Sequence, residues 1–252
     1  SATPKGGLIL SIEKMTTPPI KVDMKSQTLT TPVGIYLEEM RKEALKQSNN
    51  KLHYPVDPTS REDAMVGGTL SCNASGFIPG PAGTTRYWTD SLDFLIPDGY
   101  KISCKRGEYI STNGEFILEF SDDTRILRIP SYPRPDIKNA SGPYSNEKGK
   151  VDLVDLIVGS EGLFGLITSA TFRLKKMPNE LLDLFFTLSS ELNAVKFHNY
   201  ISNYFKGDLS QITALEYFGY SRPSETDVVG PPLFHRYRLI HLVYRWSHIY
   251  PR

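Results

Sequence analysis

Small residues gather at two places along this chain, and at both the backbone can come closer to a partner than ordinary side chains allow. The first is Val66-Gly67-Gly68-Thr69-Leu70-Ser71-Cys72-Asn73-Ala74-Ser75-Gly76, led into by Asp57-Pro58-Thr59-Ser60. The second is Gly159-Ser160-Glu161-Gly162-Leu163-Phe164-Gly165-Leu166-Ile167-Thr168, with three glycines spaced by three after the apolar stretch Leu156-Ile157-Val158. A diphosphate or a flat ring held by backbone N–H groups needs such positions, because a Cβ atom blocks close approach. Ordinary tight turns use the same residues, and composition alone favours turns. Between the two lies Gly83-Thr84-Thr85-Arg86, followed by Asp90, which taken alone equally suits a surface turn. Neither G-x-G-x-x-G nor G-x-x-x-x-G-K-[ST] occurs, so the two common nucleotide-binding fingerprints carry nothing here.

Around these segments the pattern predicts short strands punctuated by Gly and Pro, at Leu8 to Ile12, Leu92 to Ile96, Phe116 to Phe120 and Ile126 to Ile129. Helices are expected over Ile35 to Lys46, with Thr31 as N-cap and Pro32 at the first helical position, over Asp152 to Val158, and over Leu192 to Phe205. The third helix is expected to set Leu192, Val195, Tyr200, Ile201, Tyr204 and Phe205 on one side. Strand runs with scattered helices predict an α+β fold. Glycine punctuation stops near Pro178, which predicts a domain boundary there. The aromatic- and His-rich stretch Leu233 to Arg252 reads as an apolar element lacking its packing partner, in preference to a nucleic-acid or membrane surface.

A formal net charge of +1 gives no field that would steer the chain to nucleic acid, and no apolar run approaches a transmembrane span. Cys72 and Cys104 form no C-x-x-C pair, so neither a disulfide framework nor a thiolate zinc site is expected. A cytoplasmic protein fits this cysteine usage, and a location peripheral to the inner membrane is the other expectation. Five histidines without paired ligand spacing assign no metal.

Taken in order, D-P-T-S, G-G-x-x-x-x-N-A-S-G, G-T-T-R and G-S-E-G-x-x-G-x-I-T resemble the FAD-binding domain of the vanillyl-alcohol-oxidase, or PCMH-type, superfamily. The branch resembled holds D-lactate dehydrogenases, glycolate oxidase subunits and alkyldihydroxyacetonephosphate synthase, and the likeness runs from about Gly6 to Leu174. It implies FAD as cofactor, with Asp57, Pro58, Thr59, Ser60 and Met65 lining the flavin side and Gly67 and Gly68 close to the ring. Cys72, Asn73, Ala74 and Ser75 would add backbone contacts, and Glu161, Gly162, Gly165 and Ile167 would follow the adenosine. Ala82 departs from the family's usual Tyr, and Leu163-Phe164 from its Thr-Leu.

The same resemblance implies residues 1–178 as a FAD-binding domain lacking its N-terminal, pyrophosphate-holding subdomain, and 179–252 as the truncated beginning of an α+β substrate or cap domain. The chain therefore reads as a fragment, or a severely shortened gene product, that is inactive by itself. The chemistry implied for the intact protein is oxidation of a 2-hydroxy acid of the D-lactate or glycolate type by hydride transfer to flavin, with an unassigned electron acceptor. The catalytic base is unassigned. Arg134 and Lys138, in the Pro-rich stretch Pro130 to Tyr144, are the two cations that would hold a substrate carboxylate, unless that stretch is only a rigid surface connection. The alternatives are an alkylglycerone-phosphate-synthase-like flavin transferase and a non-catalytic flavin-fold remnant.

Overall fold

The computed structural model describes residues 6–129, 150–188, 190–209, 212–218 and 240–248. The chain divides into two compact units, Ser1–Gly76 with Pro81–Met177, and Phe77–Gly80 with Pro178–Arg252.

The first unit begins with the hairpin β1 (Lys21–Asp23) and β2 (Thr28–Pro32). The Asp23 carboxylate accepts from the Lys25 N–H at 2.8 Å and Gln27 takes φ 55°, which together close the turn. Helix α1 (Leu37–Gln47), the two-residue strand β3 (Leu52–His53) and helix α2 (Val66–Ser71) follow. A short 3-10 turn at Pro81–Gly83 leads into the single helical turn α3 (Thr85–Trp88). Strands β4 (Thr89–Leu95) and β5 (Lys101–Lys105) form a hairpin, as do β6 (Glu115–Glu119) and β7 (Thr124–Arg128). Helix α4 (Leu153–Ile157), strand β8 (Leu166–Arg173) and the short β9 (Lys175–Lys176) complete the unit.

The main sheet has the order β1-β2-β8-β4-β5. Strand β8 enters between two hairpins and runs antiparallel to both neighbours, with Thr31 opposite Ala170 and Leu92 opposite Ala170 on the other side. Period-two alternation decides which face is buried: Leu29, Thr31, Leu92, Phe94, Ile102, Cys104, Ala170 and Phe172 all point inward. On that face lie Leu37 and Met40 of α1, Val66 and Leu70 of α2, and Leu153 and Leu156 of α4. Each such Leu, Met or Phe contributes roughly 1.5–3 kcal/mol by leaving water. Tyr54 and Phe172 pack ring to ring, 5.0 Å between centroids, at the centre of this core.

The α+β expectation holds, and strands β4, β6 and β7 and helices α1 and α4 lie where the pattern placed them, within a few residues. Two local expectations are corrected. Leu8 to Ile12 forms no strand; Leu8, Ile9 and Leu10 are exposed, and the Ile12 carbonyl instead crosses Gly34, where a Cβ would fall 2.3 Å from it. Thr31 and Pro32 close β2 rather than opening a helix, because Leu29 and Thr31 alternate into the core. Helix α1 then starts without a side-chain cap; the N–H groups of Leu37 and Glu38 are satisfied by the carbonyls of Ala64 and Arg61, at 2.8 and 3.0 Å. On α5 (Glu191–Tyr204), which forms where it was expected, Leu192, Val195, Tyr200 and Tyr204 are exposed, while Ala194 and Ile201 are buried.

The second unit has a sheet of order β10-β12-β11, made of β10 (Glu180–Leu188), β11 (Ile212–Phe218) and β12 (Ile240–His248). Both pairings are antiparallel, and the terminal stretch expected to lack a packing partner supplies the central strand, with Tyr244 opposite Leu184 and Leu215. Ser190 caps α5, its hydroxyl accepting from the Asn193 N–H. Among the described residues no helix is long and apolar enough to cross a membrane.

Candidate functional site

The two glycine-bearing segments, far apart in sequence, meet at the C-terminal end of α2. The last carbonyls of a helix have no intrahelical donor. Here the loop after α4 supplies donors: Gly159 N–H binds Leu70 O at 2.8 Å, and Glu161 N–H binds Ser71 O at 2.9 Å. Glu161 adopts φ 53° and Gly162 φ 82°, a left-handed pair that turns the loop back across the helix end. The Gly83-Thr84-Thr85-Arg86 segment joins the same place. It is no surface turn: Thr84, Thr85 and Arg86 are at most 2% exposed. The Arg86 guanidinium donates from Nη2 to Val158 O at 2.6 Å, just before Gly159, and its own N–H donates to Asn73 Oδ1 at 2.8 Å. Asn73 is fully buried with φ 46°, a conformation asparagine tolerates, and Thr85 binds Ala74 O through both its N–H and its hydroxyl.

The third element is the loop Asp57-Pro58-Thr59-Ser60. Gly76 admits it: a Cβ there would lie 2.5 Å from Asp57 N and 2.6 Å from its Oδ1. Asp57 is thereby packed on the turn that closes the Asn73-Ala74-Ser75-Gly76 segment. The structure thus brings together three of the segments singled out in the sequence and the Arg that joins two of them.

Exposure sorts the individual residues. Thr59, Ser60, Gly68, Cys72, Glu161 and Gly162 face open space, whereas Pro58, Gly67, Asn73 and Ile167 are buried; Asp57, Met65, Ala74, Ser75 and Gly165 are intermediate. Met65 is the α2 N-cap and bridges to Tyr36, while Ile167 belongs to the core. The glycines divide in the same way. A Cβ at Gly68 or Gly162 would meet nothing within 4 Å, but one at Gly67 would lie 2.6 Å from Ile12 Cδ1 and one at Gly165 2.1 Å from Leu95 O. Gly67 and Gly165 are therefore required by the protein's own packing. Arg134 and Lys138 lie outside the described residues.

These features fit a dinucleotide. Gly68 and Gly162 leave two unobstructed approaches to the backbone where loop and helix meet, and Glu161 adds an exposed carboxylate able to accept from hydroxyl groups. Sequence reasoning undervalued Arg86, because a lone Arg after two hydroxyl residues carries no sign of burial; the available signal was its place in the G-T-T-R piece of the motif order. Among the described residues no group of three or more His, Cys, Asp or Glu side chains is placed to hold a metal ion.

Comparison with known proteins bears on the fold and the cofactor. Residues 1–105 match the family described as FAD binding domain. The D-lactate dehydrogenase of Archaeoglobus fulgidus is 30% identical over 192 residues, covering 75% of this chain and 34% of that protein. The D-2-hydroxyglutarate dehydrogenase of Xanthomonas citri pv. viticola is 29% identical over 173 residues, covering 69% of this chain and 28% of that protein. The chain thus spans about a third of the length of these relatives. Among solved structures, an alkyldihydroxyacetonephosphate synthase superposes with a TM-score of 0.58 over 94% of this chain and 38% of its own, at 18% identity, a likeness of fold. The match of residues 1–105 to the FAD binding domain family assigns FAD as the cofactor, and the relatives and the fold are consistent with the PCMH-type FAD oxidase superfamily.

Proposed function

We propose that this chain is the flavin-holding part of an FAD-dependent oxidoreductase that oxidises a 2-hydroxy acid of the D-lactate, D-2-hydroxyglutarate or glycolate type. The observation that carries the reading is the open pair Gly68 and Gly162, held together by the loop-to-helix hydrogen bonds at Leu70 and Ser71. The names of the relatives, D-lactate and D-2-hydroxyglutarate dehydrogenases and the Bacillus subtilis glycolate oxidase subunit, support the substrate class. Bound FAD supplies a two-electron acceptor for the hydride.

The chain's own part is to hold that group and exclude alternatives. Glu161 and Gly162 run beside the adenosine half, with the Glu161 carboxylate accepting from ribose hydroxyls. Thr59, Ser60 and Gly68 stand on the flavin side, and Cys72 to Ser75 contribute backbone contacts. Arg134 and Lys138 are the cations available to hold the substrate carboxylate. The first compact unit acts as the FAD-binding domain, the second begins the domain that covers the substrate, and a reducing compartment such as the cytoplasm suits the free Cys72 and Cys104. A flavin-transferase chemistry is not favoured, since the likeness to the synthase at 18% identity speaks to fold alone.

Anaerobic titration of the intact, FAD-loaded protein with D-lactate, D-2-hydroxyglutarate and glycolate tests the proposal. Stoichiometric bleaching of the flavin absorbance by one of them, with the L-enantiomer inert where the substrate is chiral, is the expected result. Absence of bleaching by every 2-hydroxy acid would contradict it.

A further inference from the structure

Arg41 lies on α1, outside every segment singled out for the cofactor, yet it reaches the approach to one of them. Its Nη1 donates to Tyr54 O at 3.0 Å and to Val56 O at 2.7 Å, the two carbonyls flanking Pro55 immediately before Asp57. Its Nε lies 3.3 Å from Glu38 Oε2, and the same carboxylate oxygen lies 3.2 Å from Arg61 Nε on the far side of the loop. Main-chain bonds from Leu37 and Glu38 to Ala64 and Arg61 hold that far side as well. Within the loop, Arg61 N–H binds Pro58 O at 3.0 Å and Ala64 N–H binds Ser60 O at 2.8 Å. The segment from Val56 to Ala64 is therefore tied to one helix at both flanks, through Arg41 on entry and through Glu38 and the first turn of α1 on exit.

Burial shows what this costs. Arg41 keeps 21% of its side-chain exposure, and withdrawal from water lowers its pKa, opposed by the nearby Asp57 and Glu38 carboxylates. A partly desolvated guanidinium beside two carbonyls and a carboxylate is worth keeping only if its geometry is fixed. A loop held before a ligand arrives has less conformational entropy to lose when it binds.

We propose that Arg41 is a positioning residue for the flavin: with Glu38 and Arg61 it presets the Asp57-Pro58-Thr59-Ser60 loop in its cofactor-binding shape. The proposal rests on the reading that this loop lines the flavin side. Replacing the guanidinium leaves the Tyr54 and Val56 carbonyls without their donor and frees the loop at its entry.

The experiment measures the FAD dissociation constant and the visible circular dichroism of the bound flavin for the full chain and four variants. Arg41→Met should weaken FAD by roughly tenfold or more and alter the flavin dichroism. Arg41→Lys, which retains the charge but has a single donor head, should recover part of the affinity. Phe116→Leu, in the separate β6–β7 hairpin, supplies a comparable loss of thermal midpoint and should leave FAD affinity and dichroism at their original values. Thr59→Val should perturb the dichroism directly. If Arg41→Met does no more to FAD than Phe116→Leu while Thr59→Val changes the flavin signal, the clamp is overturned and the loop reading stands. If Thr59→Val is silent too, the loop reading falls and takes the clamp with it.

Discussion

Helix α2 and the loop between α4 and β8 each set a tightly packed glycine near an unobstructed one. In α2, Gly67 is pressed against Ile12 and Val33 while Gly68, one position on, faces nothing within 4 Å. In the loop, Gly165 lies against the Leu95 carbonyl while Gly162 faces nothing within 4 Å. Gly67 and Gly165 are demanded by packing, Gly162 by its φ of 82°, and Gly68 by neither. Chemically identical residues within one segment therefore sit in different environments, and a substitution at each can read them apart.

The largest effect is expected at Gly165. Its φ of 150° disfavours any side chain, and a Cβ would collide with backbone at 2.1 Å, which cannot move as a side-chain tip can. Gly165→Ala should cost roughly 3–5 kcal/mol of stability by adding backbone strain to overpacking. Chemical denaturation of the flavin-free protein checks it; a variant as stable as the parent would break the division between the two loop glycines.

The next effect lies outside both regions and serves as their reference. Burial, with Arg41 and Lys175 nearby, pushes His53 down to about 4 from 6.5. The unfolded chain then takes up a proton that the folded chain refuses. Stability is full above about pH 6.5 and falls as pH drops toward about 4, by at most about 3 kcal/mol at roughly 1.4 kcal/mol per pH unit. His53→Gln should flatten that slope, whereas the glycine variants should shift the whole stability curve without changing its slope. A parent slope that His53→Gln leaves intact would assign the acid sensitivity elsewhere.

Gly67→Ala is expected to cost less than Gly165→Ala, about 1–3 kcal/mol. The nearest atom is Ile12 Cδ1, the end of a flexible side chain, although Val33 Cβ at 3.0 Å limits the escape. Thermal midpoints of the flavin-free variants should rank Gly165→Ala below Gly67→Ala.

Much of this arrangement could be read in the sequence, and the failures share a cause. Strands β4, β6 and β7 and helix α4 have local signals, alternation or an Asp N-cap, that need no distant partner. Leu8 to Ile12 is as apolar as a strand, yet its place was set by Gly34 and Gly67, which a local pattern does not see. Arg86 looked like a surface residue because its partners, Asn73 and Val158, are distant in sequence. The division of Gly67 from Gly68 was illegible for the same reason: it depends on Ile12 and Val33 occupying one side of a helix and nothing occupying the other.

On the proposed reading Gly68 is open because FAD takes the space beside it, and Gly68→Leu tests this most directly. Leucine suits a helix interior better than glycine by up to about 1 kcal/mol, and no protein atom blocks its Cβ. The thermal midpoint of the flavin-free variant should therefore match or exceed the parent's, while its FAD affinity falls by on the order of tenfold or more through steric exclusion. A variant that keeps its stability and binds FAD as tightly as the parent would contradict the account.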